Sequence, residues 1–209
     1  MGPRRSRMGG ADMIGKFAAA LRAGGLVLLM GAGGCAYGLS RTAEIINPER
    51  LARVRSVTVA PFRYPHRWTG FLRGIYRSAE IDPPAEEKVE RIEATFLPEG
   101  VLVARGYEVL KWPAAAGEMI WREEAPEAGD RAALLKVLTS GAEAVLMLRG
   151  RSECREIHHC VAEVEMKLID AEGGSVLWKS RAEGETLIGQ GNEMLAAVEE
   201  ALADLTGPP

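Results

Sequence analysis

The sequence lacks the short motifs that mark several common enzyme classes. It has no Walker motif for nucleotide phosphates, no G-x-S-x-G around a nucleophilic serine and no H-E-x-x-H for a zinc protease. Carboxylates are numerous, but their spacing singles out no acid–base pair. We therefore expect a protein that is not an enzyme, with no catalytic residues, no metal and no cofactor.

The chain also lacks an apolar run near its amino terminus that is long enough to span a membrane. The uncharged stretch 23–34 has twelve residues, whereas a spanning helix needs about 20. Five basic residues and one acid precede it, and it exits through small residues into Cys35. This order is typical of an export signal. The predicted domains are a signal peptide over 1–34, a cysteine-led tether over 35–53 and a single domain over 54–206.

The segment Ala32-Gly33-Gly34-Cys35 resembles the lipobox of bacterial lipoproteins. The resemblance implies that Cys35 is lipidated, with palmitate among its chains, and becomes the mature amino terminus. Two or more acyl chains give stable anchoring to a bilayer. Ala36 is compatible with sorting to the outer membrane, so the expected location is the periplasmic face of that membrane. An amino-terminal membrane helix and an ordinary cleaved signal are the alternatives.

Cysteine is scarce, with three in the whole chain. Apart from Cys35, only Cys154 and Cys160 are present, in the stretch SECREIHHC. An even pair in an oxidising compartment predicts a disulfide, and its short loop limits the stabilisation to about 2 kcal/mol. A metal site that adds His158 and His159 is one alternative, although adjacent histidines in a strand point to opposite faces. Two free thiols are the other.

The mature chain has no excess of positive charge. The predicted signal holds five of the 26 basic residues and one of the 29 acidic residues, which leaves 21 basic and 28 acidic residues and a net charge of −7. This balance argues against a nucleic-acid partner and offers no general attraction to anionic lipid.

Strand and helix patterns alternate along the mature chain and predict an α/β fold of order β-α-β-α-β-β-β-α. Helices should pack on a mixed sheet in two or three layers. The first two crossovers favour parallel strands, and the last three strands favour antiparallel pairing. The predicted strands lie at 55–61, 107–112, 142–151, 161–170 and 175–181.

Helices are predicted from apolar spacing near 84–106, 130–141 and 192–205. The first has Val89, Ile92 and Phe96 at helical spacing, and Pro98 should break or restart it. Asp130 and Asn192 are the expected amino-terminal caps of the other two. Residues 36–47 are expected to form a short tether.

The runs VTVAPF, ARGYEVL, GAEAVLMLRG and VEMKLIDAEGGSVLWKSR, in this order between helices, resemble a group of periplasmic lipoproteins. This group shares the fold of the amino-terminal domain of TolB and includes domains of CsgG and LpoB. The resemblance covers roughly residues 54–206. It implies an α/β fold and no catalytic residues, because the matching positions are strand, turn and packing residues.

The segment 63–84 is an insertion with no counterpart in that group, and long loops in compact domains are usually functional. It interleaves arginines with aromatic residues, the types enriched at protein interfaces. Part of it should form a short helix. The candidate partner-binding residues are Arg67, Trp68, Phe71, Arg73 and Tyr76. Packing of the apolar face on the sheet and contact with the membrane interface are the alternatives.

Together these features predict a lipid-anchored periplasmic adaptor or assembly factor of the cell envelope. Its partners would be the bilayer, through Cys35, and an envelope protein. A module that binds a small ligand or a glycan is the alternative.

Overall fold

A mixed sheet of eight strands organises the described part of the chain, which comprises residues 36–68, 89–121, 128–156, 159–186 and 193–207 of the computed structural model. The strands are β1 (Ala36–Ile45), β2 (Ser56–Val59), β3 (Arg63–Trp68), β4 (Val89–Glu93), β5 (Glu108–Leu110), β6 (Ala144–Glu156), β7 (His159–Asp170) and β8 (Val176–Thr186). The helices are α1 (Pro48–Leu51), α2 (Phe96–Ala104), α3 (Ala128–Thr139) and α4 (Glu193–Ala201), with a 3₁₀ turn at Ala114–Ala116. None of these helices is long and apolar enough to cross a membrane.

The strand order is β1-β8-β7-β6-β2-β5, and β3 pairs with both β6 and β4. Strand β2 runs parallel to β5 and to β6, as the two predicted crossovers require. The β6–β7 and β7–β8 pairs are antiparallel, as predicted for the last three strands. The mixed α/β class is therefore confirmed.

Helices cover both faces of the sheet, which gives three layers in the region around β6. Successive side chains of a strand point to opposite faces. In β6, Ala144 and Leu146 join a core with α2 and α4, whereas Val145 and Met147 join a second core with α3.

The predicted tether is wrong for residues 36–45, which form the edge strand β1. Its pairing with β8 runs from Ala36 opposite Thr186 to Ile45 opposite Trp178. Backbone groups along an open strand edge need partners, and this segment supplies them to β8. Arg41 adds ion pairs to Glu200 and Asp204, in and after α4.

The predicted helix over 84–106 is wrong for residues 89–93, which form β4 and lie antiparallel to β3. Helix α2 begins at Phe96, so Pro98 is its third residue. Proline is tolerated there because the first-turn N–H groups have no partner within the helix. Asp130 is likewise not a cap, because α3 begins at Ala128. Asn192 lies outside the described residues.

A glycine lets α4 approach the sheet closely. A Cβ atom on Gly184 in β8 would overlap the carbonyl oxygen of Glu193 and the backbone nitrogen of Ala197. The helix therefore lies with its backbone directly against β8, and its buried residues Met194 and Val198 enter the core. This contact fixes the position of Glu193, the first residue of α4.

Candidate functional site

The structure describes only part of the predicted partner-binding segment. Arg67 is exposed near the end of β3 and lies in register with Glu153 of β6. Trp68 is the last residue of β3, so it belongs to a strand and not to the predicted short helix. Phe71, Arg73 and Tyr76 lie outside the described residues, as does the predicted lipidation site Cys35.

A second surface, which no motif of the sequence marks, is the face of β6, β7 and β8 that points away from α4. Alternation along β7 sends Ala162, Val164 and Met166 into the core and Glu163 and Glu165 to the opposite face. The same alternation in β6 and β8 adds charged residues to that face. They include Arg149, Arg151, Lys179 and Arg181.

Two glutamates and three arginines form a network across these strands. Glu165 lies between Arg149 and Arg181, with nitrogen–oxygen distances of 2.5 and 3.9 Å. Glu163 lies 2.9 Å from Arg151 and also pairs with Arg181. The pairs Arg149–Glu165 and Arg151–Glu163 are directly opposite in the β6–β7 register.

Burial separates the two signs of charge in this network. The arginine side chains are 45–75% exposed, whereas those of Glu163 and Glu165 are 15% and 24% exposed. The carboxylates lie close to the sheet and the guanidinium groups lie above them, so the most exposed charges of this network are the three arginines. We call Arg149, Arg151 and Arg181 the arginine face.

Two shallow grooves flank the arginine face. One, of about 450 Å³, runs past Pro65 and Gly150 between the three arginines. The other, of about 320 Å³, is bordered by Trp121 and Lys179. Arg149 and Lys167 lie 5.0 and 4.8 Å from the centre of the Trp121 ring, within cation–π range. The Trp121 indole thus restrains Arg149, one of the three residues of the arginine face.

The structure contains the disulfide between Cys154 and Cys160. The two residues are opposite each other in β6 and β7, with Cα atoms 4.0 Å apart. Both are buried. The bridge therefore closes one end of the hairpin, at the same level of the sheet as Trp68 in β3 and Thr186 in β8.

A buried polar cluster lies beside this bridge. His66 in β3, Ser152 in β6 and Glu193 in α4 are each at most 5% exposed. The Ser152 hydroxyl donates to Glu193 Oε1 at 2.8 Å and lies 3.0 Å from His66 Nδ1. Burial, and to a smaller extent the charge of Glu193, raises the pKa of the nearby Tyr64 phenol to about 12.

This cluster also provides one set of possible metal ligands within the described residues. Donor atoms of His66, Cys154 and Glu193 lie within 4.8 Å of one another. The alternative metal site suggested by the sequence used His158 and His159 instead. In the structure His159 pairs with Glu185 at 2.5 Å, and His158 is outside the described residues. No signal in the sequence joins His66, Ser152 and Glu193, which are brought together only by the pairing of β3 with β6 and the packing of α4.

No protein-family model and no curated protein matches the chain. Among solved structures, the PelC dodecamer of Paraburkholderia phytofirmans is 18% identical, with 81% of this chain and 100% of that chain covered and a TM-score of 0.47. The LpoB carboxy-terminal domain of Salmonella enterica is 12% identical, with 62% and 81% covered and a TM-score of 0.33. Lipoprotein GNA1162 of Neisseria meningitidis is 19% identical, with 62% and 78% covered and a TM-score of 0.32. These neighbours include one named as a lipoprotein, GNA1162, and a domain of LpoB, a protein named in the sequence resemblance above.

Proposed function

We propose that this protein is a lipid-anchored adaptor of the bacterial envelope that binds a partner protein through the arginine face. The observation that carries the proposal is the arrangement of three exposed guanidinium groups over two glutamates on one face of the sheet. No enzymatic step is part of the proposed role.

Arginine is well suited to such a surface, because its planar fork binds carboxylates in a fixed geometry. Glu163 and Glu165 beneath them restrict the orientations of the guanidinium groups. Less side-chain conformational entropy is therefore lost when a partner binds. Exposed guanidinium groups on an acidic mature chain also favour the approach of an acidic partner to this part of the molecule. We therefore expect the partner to present carboxylates and the complex to weaken as salt concentration rises.

The anchor and this surface would have a defined spacing. Strand β1 begins at Ala36, directly after the proposed lipidated Cys35, so no flexible spacer separates the two in sequence. Ala36 lies at the level of Thr186, and Arg181 lies five residues back along β8. At about 3.3 Å per residue, the arginine face would lie about 17 Å along the strands from the anchored end. A partner would then be held close to the membrane surface.

The test compares two double variants with equal changes in charge. The first, Arg151→Gln with Arg181→Gln, alters the arginine face. The control, Arg53→Gln with Arg131→Gln, alters two other exposed arginines, one before β2 and one on α3. The proteins are purified from crosslinked membranes, and bound proteins are quantified by mass spectrometry. The proposal requires one partner at constant stoichiometry that is lost with the first variant and kept with the control. Equal recovery with both variants would refute it.

The second candidate is a module for an acidic small ligand or glycan, and the grooves beside the arginine face favour it. Their volumes of about 320 and 450 Å³ are in the range of small-molecule sites. If this candidate is correct, the purified wild-type protein carries a bound small molecule, no protein partner is recovered, and Arg151→Gln with Arg181→Gln releases the molecule.

A further inference from the structure

We propose that the Cys154–Cys160 disulfide masks a metal site, which binds one Zn²⁺ when the bridge is reduced. The ligands would be the thiolates of Cys154 and Cys160, the imidazole of His66 and the carboxylate of Glu193. Two thiolates with one nitrogen and one oxygen ligand suit the four-coordinate tetrahedral geometry that zinc adopts in proteins.

The hydrogen bonds of the cluster assign the tautomer of His66. Ser152 donates its hydroxyl proton to Glu193 Oε1, so its oxygen accepts the proton on His66 Nδ1. In the neutral ring, Nε2 then carries a lone pair, and Nε2 lies 3.8 Å from Cys154 Sγ. A histidine that ligates through one nitrogen while the other donates to an oriented oxygen is the usual arrangement at metal sites.

The carboxylate of Glu193 is placed in the same way. One oxygen, Oε1, accepts from Ser152, and the other, Oε2, is buried with no hydrogen-bond partner among the described residues. A buried carboxylate oxygen without a partner is energetically costly. A cation bound to that oxygen would offset its desolvation free energy. Ser152 would then hydrogen-bond to both ligands, His66 and Glu193, through atoms that do not bind the metal.

The distances require only small movements. Zinc bond lengths of 2.0–2.3 Å place neighbouring ligand atoms in a tetrahedron about 3.3–3.8 Å apart. The present donor atoms of His66, Cys154 and Glu193 lie within 4.8 Å of one another, and Cys160 is bonded to Cys154. A contraction of about 1 Å is within the reach of side-chain rotation.

The chemistry balances in two steps. A dithiol reductant attacks the bridge, becomes a cyclic disulfide and transfers two electrons and two protons, which leaves two thiols on the protein. Zn²⁺ then displaces both thiol protons and forms two zinc–sulfur bonds. A metal crosslink between β3, β6, β7 and α4 would take the place of the covalent one, so the core would stay closed in both redox states.

Cobalt(II) is the probe, because a thiolate bound to it produces a charge-transfer absorption in the near ultraviolet. The purified protein is titrated with Co²⁺ before and after reduction, and bound Co²⁺ is then displaced with Zn²⁺. We expect one Co²⁺ per reduced chain with the thiolate band, and no binding to the oxidised chain. Binding to the oxidised chain at equal strength, or no binding to the reduced chain, overturns the proposal.

Three variants test the other ligands and the residue between them. Glu193→Gln keeps the shape of the side chain and His66→Ala removes the imidazole, and both should weaken Zn²⁺ binding more than Ser152→Ala. Loss of such an outer partner typically costs about 10- to 100-fold in affinity. Unchanged affinity in Glu193→Gln and His66→Ala would mean that two thiols alone bind the metal, and the proposal would fail.

A melting experiment covers the case in which reduction or substitution unfolds the chain. Ligands that bind only the native state raise the melting midpoint. We expect Zn²⁺ to raise the midpoint of the reduced wild type and to leave that of the oxidised protein unchanged. A reduced chain that melts at the same temperature with and without Zn²⁺ would contradict the proposal.

Discussion

Substitution of Gly184 by alanine should displace α4 from the sheet. The added Cβ atom would overlap two backbone atoms, Glu193 O and Ala197 N, which cannot rotate away as a flexible side chain could. Forced insertion into a packed core costs about 1–3 kcal/mol, and a backbone obstacle favours the upper part of that range. In a domain of this size, each kcal/mol shifts the melting midpoint by about 2–4 °C. At a cost of about 2–3 kcal/mol, we therefore expect a fall of about 4–12 °C.

The matched control is Gly100→Ala in α2, where nothing lies within 4 Å of the added carbon. Alanine in an exposed helical position is favoured over glycine by about 0.5–1 kcal/mol, so this variant should melt at the same temperature as wild type or slightly above it. Thermal unfolding followed by circular dichroism measures both. Equal midpoints for the two variants would refute the close packing of α4 on β8, and with it the position of Glu193.

Three further outcomes are expected. Cys35→Ser should lose incorporation of labelled palmitate and be released from membranes; equal label in mutant and wild type would contradict lipidation. The Cys154→Ser, Cys160→Ser double variant should lose about 2 kcal/mol in urea unfolding, because the loop it opens is short, and an unchanged urea midpoint would argue against the bridge. Burial raises the pKa of Tyr64 to about 12, so native protein keeps a proton that unfolded chain has lost. Stability should therefore fall between pH 10 and pH 12, and less so in Tyr64→Phe; equal slopes would contradict the assignment.

The carboxy-terminal half of the fold could be predicted because its patterns are strong and local. The alternation in β7 defines one solvent-facing side and one buried side of the strand. The nearly continuous apolar start of β6 indicates a central strand with neighbours on both sides. The pairing of Cys154 with Cys160 even fixes the register of the hairpin. Arg149 and Glu165 are equally far from the two cysteines, so their pairing could have been found from the sequence.

The amino-terminal half could not be predicted in the same way, because its elements depend on distant partners. Strand β1 has a mixed pattern and forms because β8 has an open edge. In β4, Val89 and Ile92 are at helical spacing, yet pairing with β3 outweighs this local preference. The buried cluster joins residues 66, 152 and 193, and only the completed fold brings them together.

Photocrosslinking in living cells tests the central claim, partner binding through the arginine face, most directly. A photoreactive amino acid is placed at position 179, beside Arg181 on the same face of β8, so that all three arginines are kept. Position 131 on α3 is the control. After irradiation, crosslinked products are identified by mass and sequence. Our account predicts one discrete protein adduct from position 179, with its crosslink in an acidic segment of the partner, and none from position 131. No adduct at position 179, or the same adducts from both positions, would contradict it.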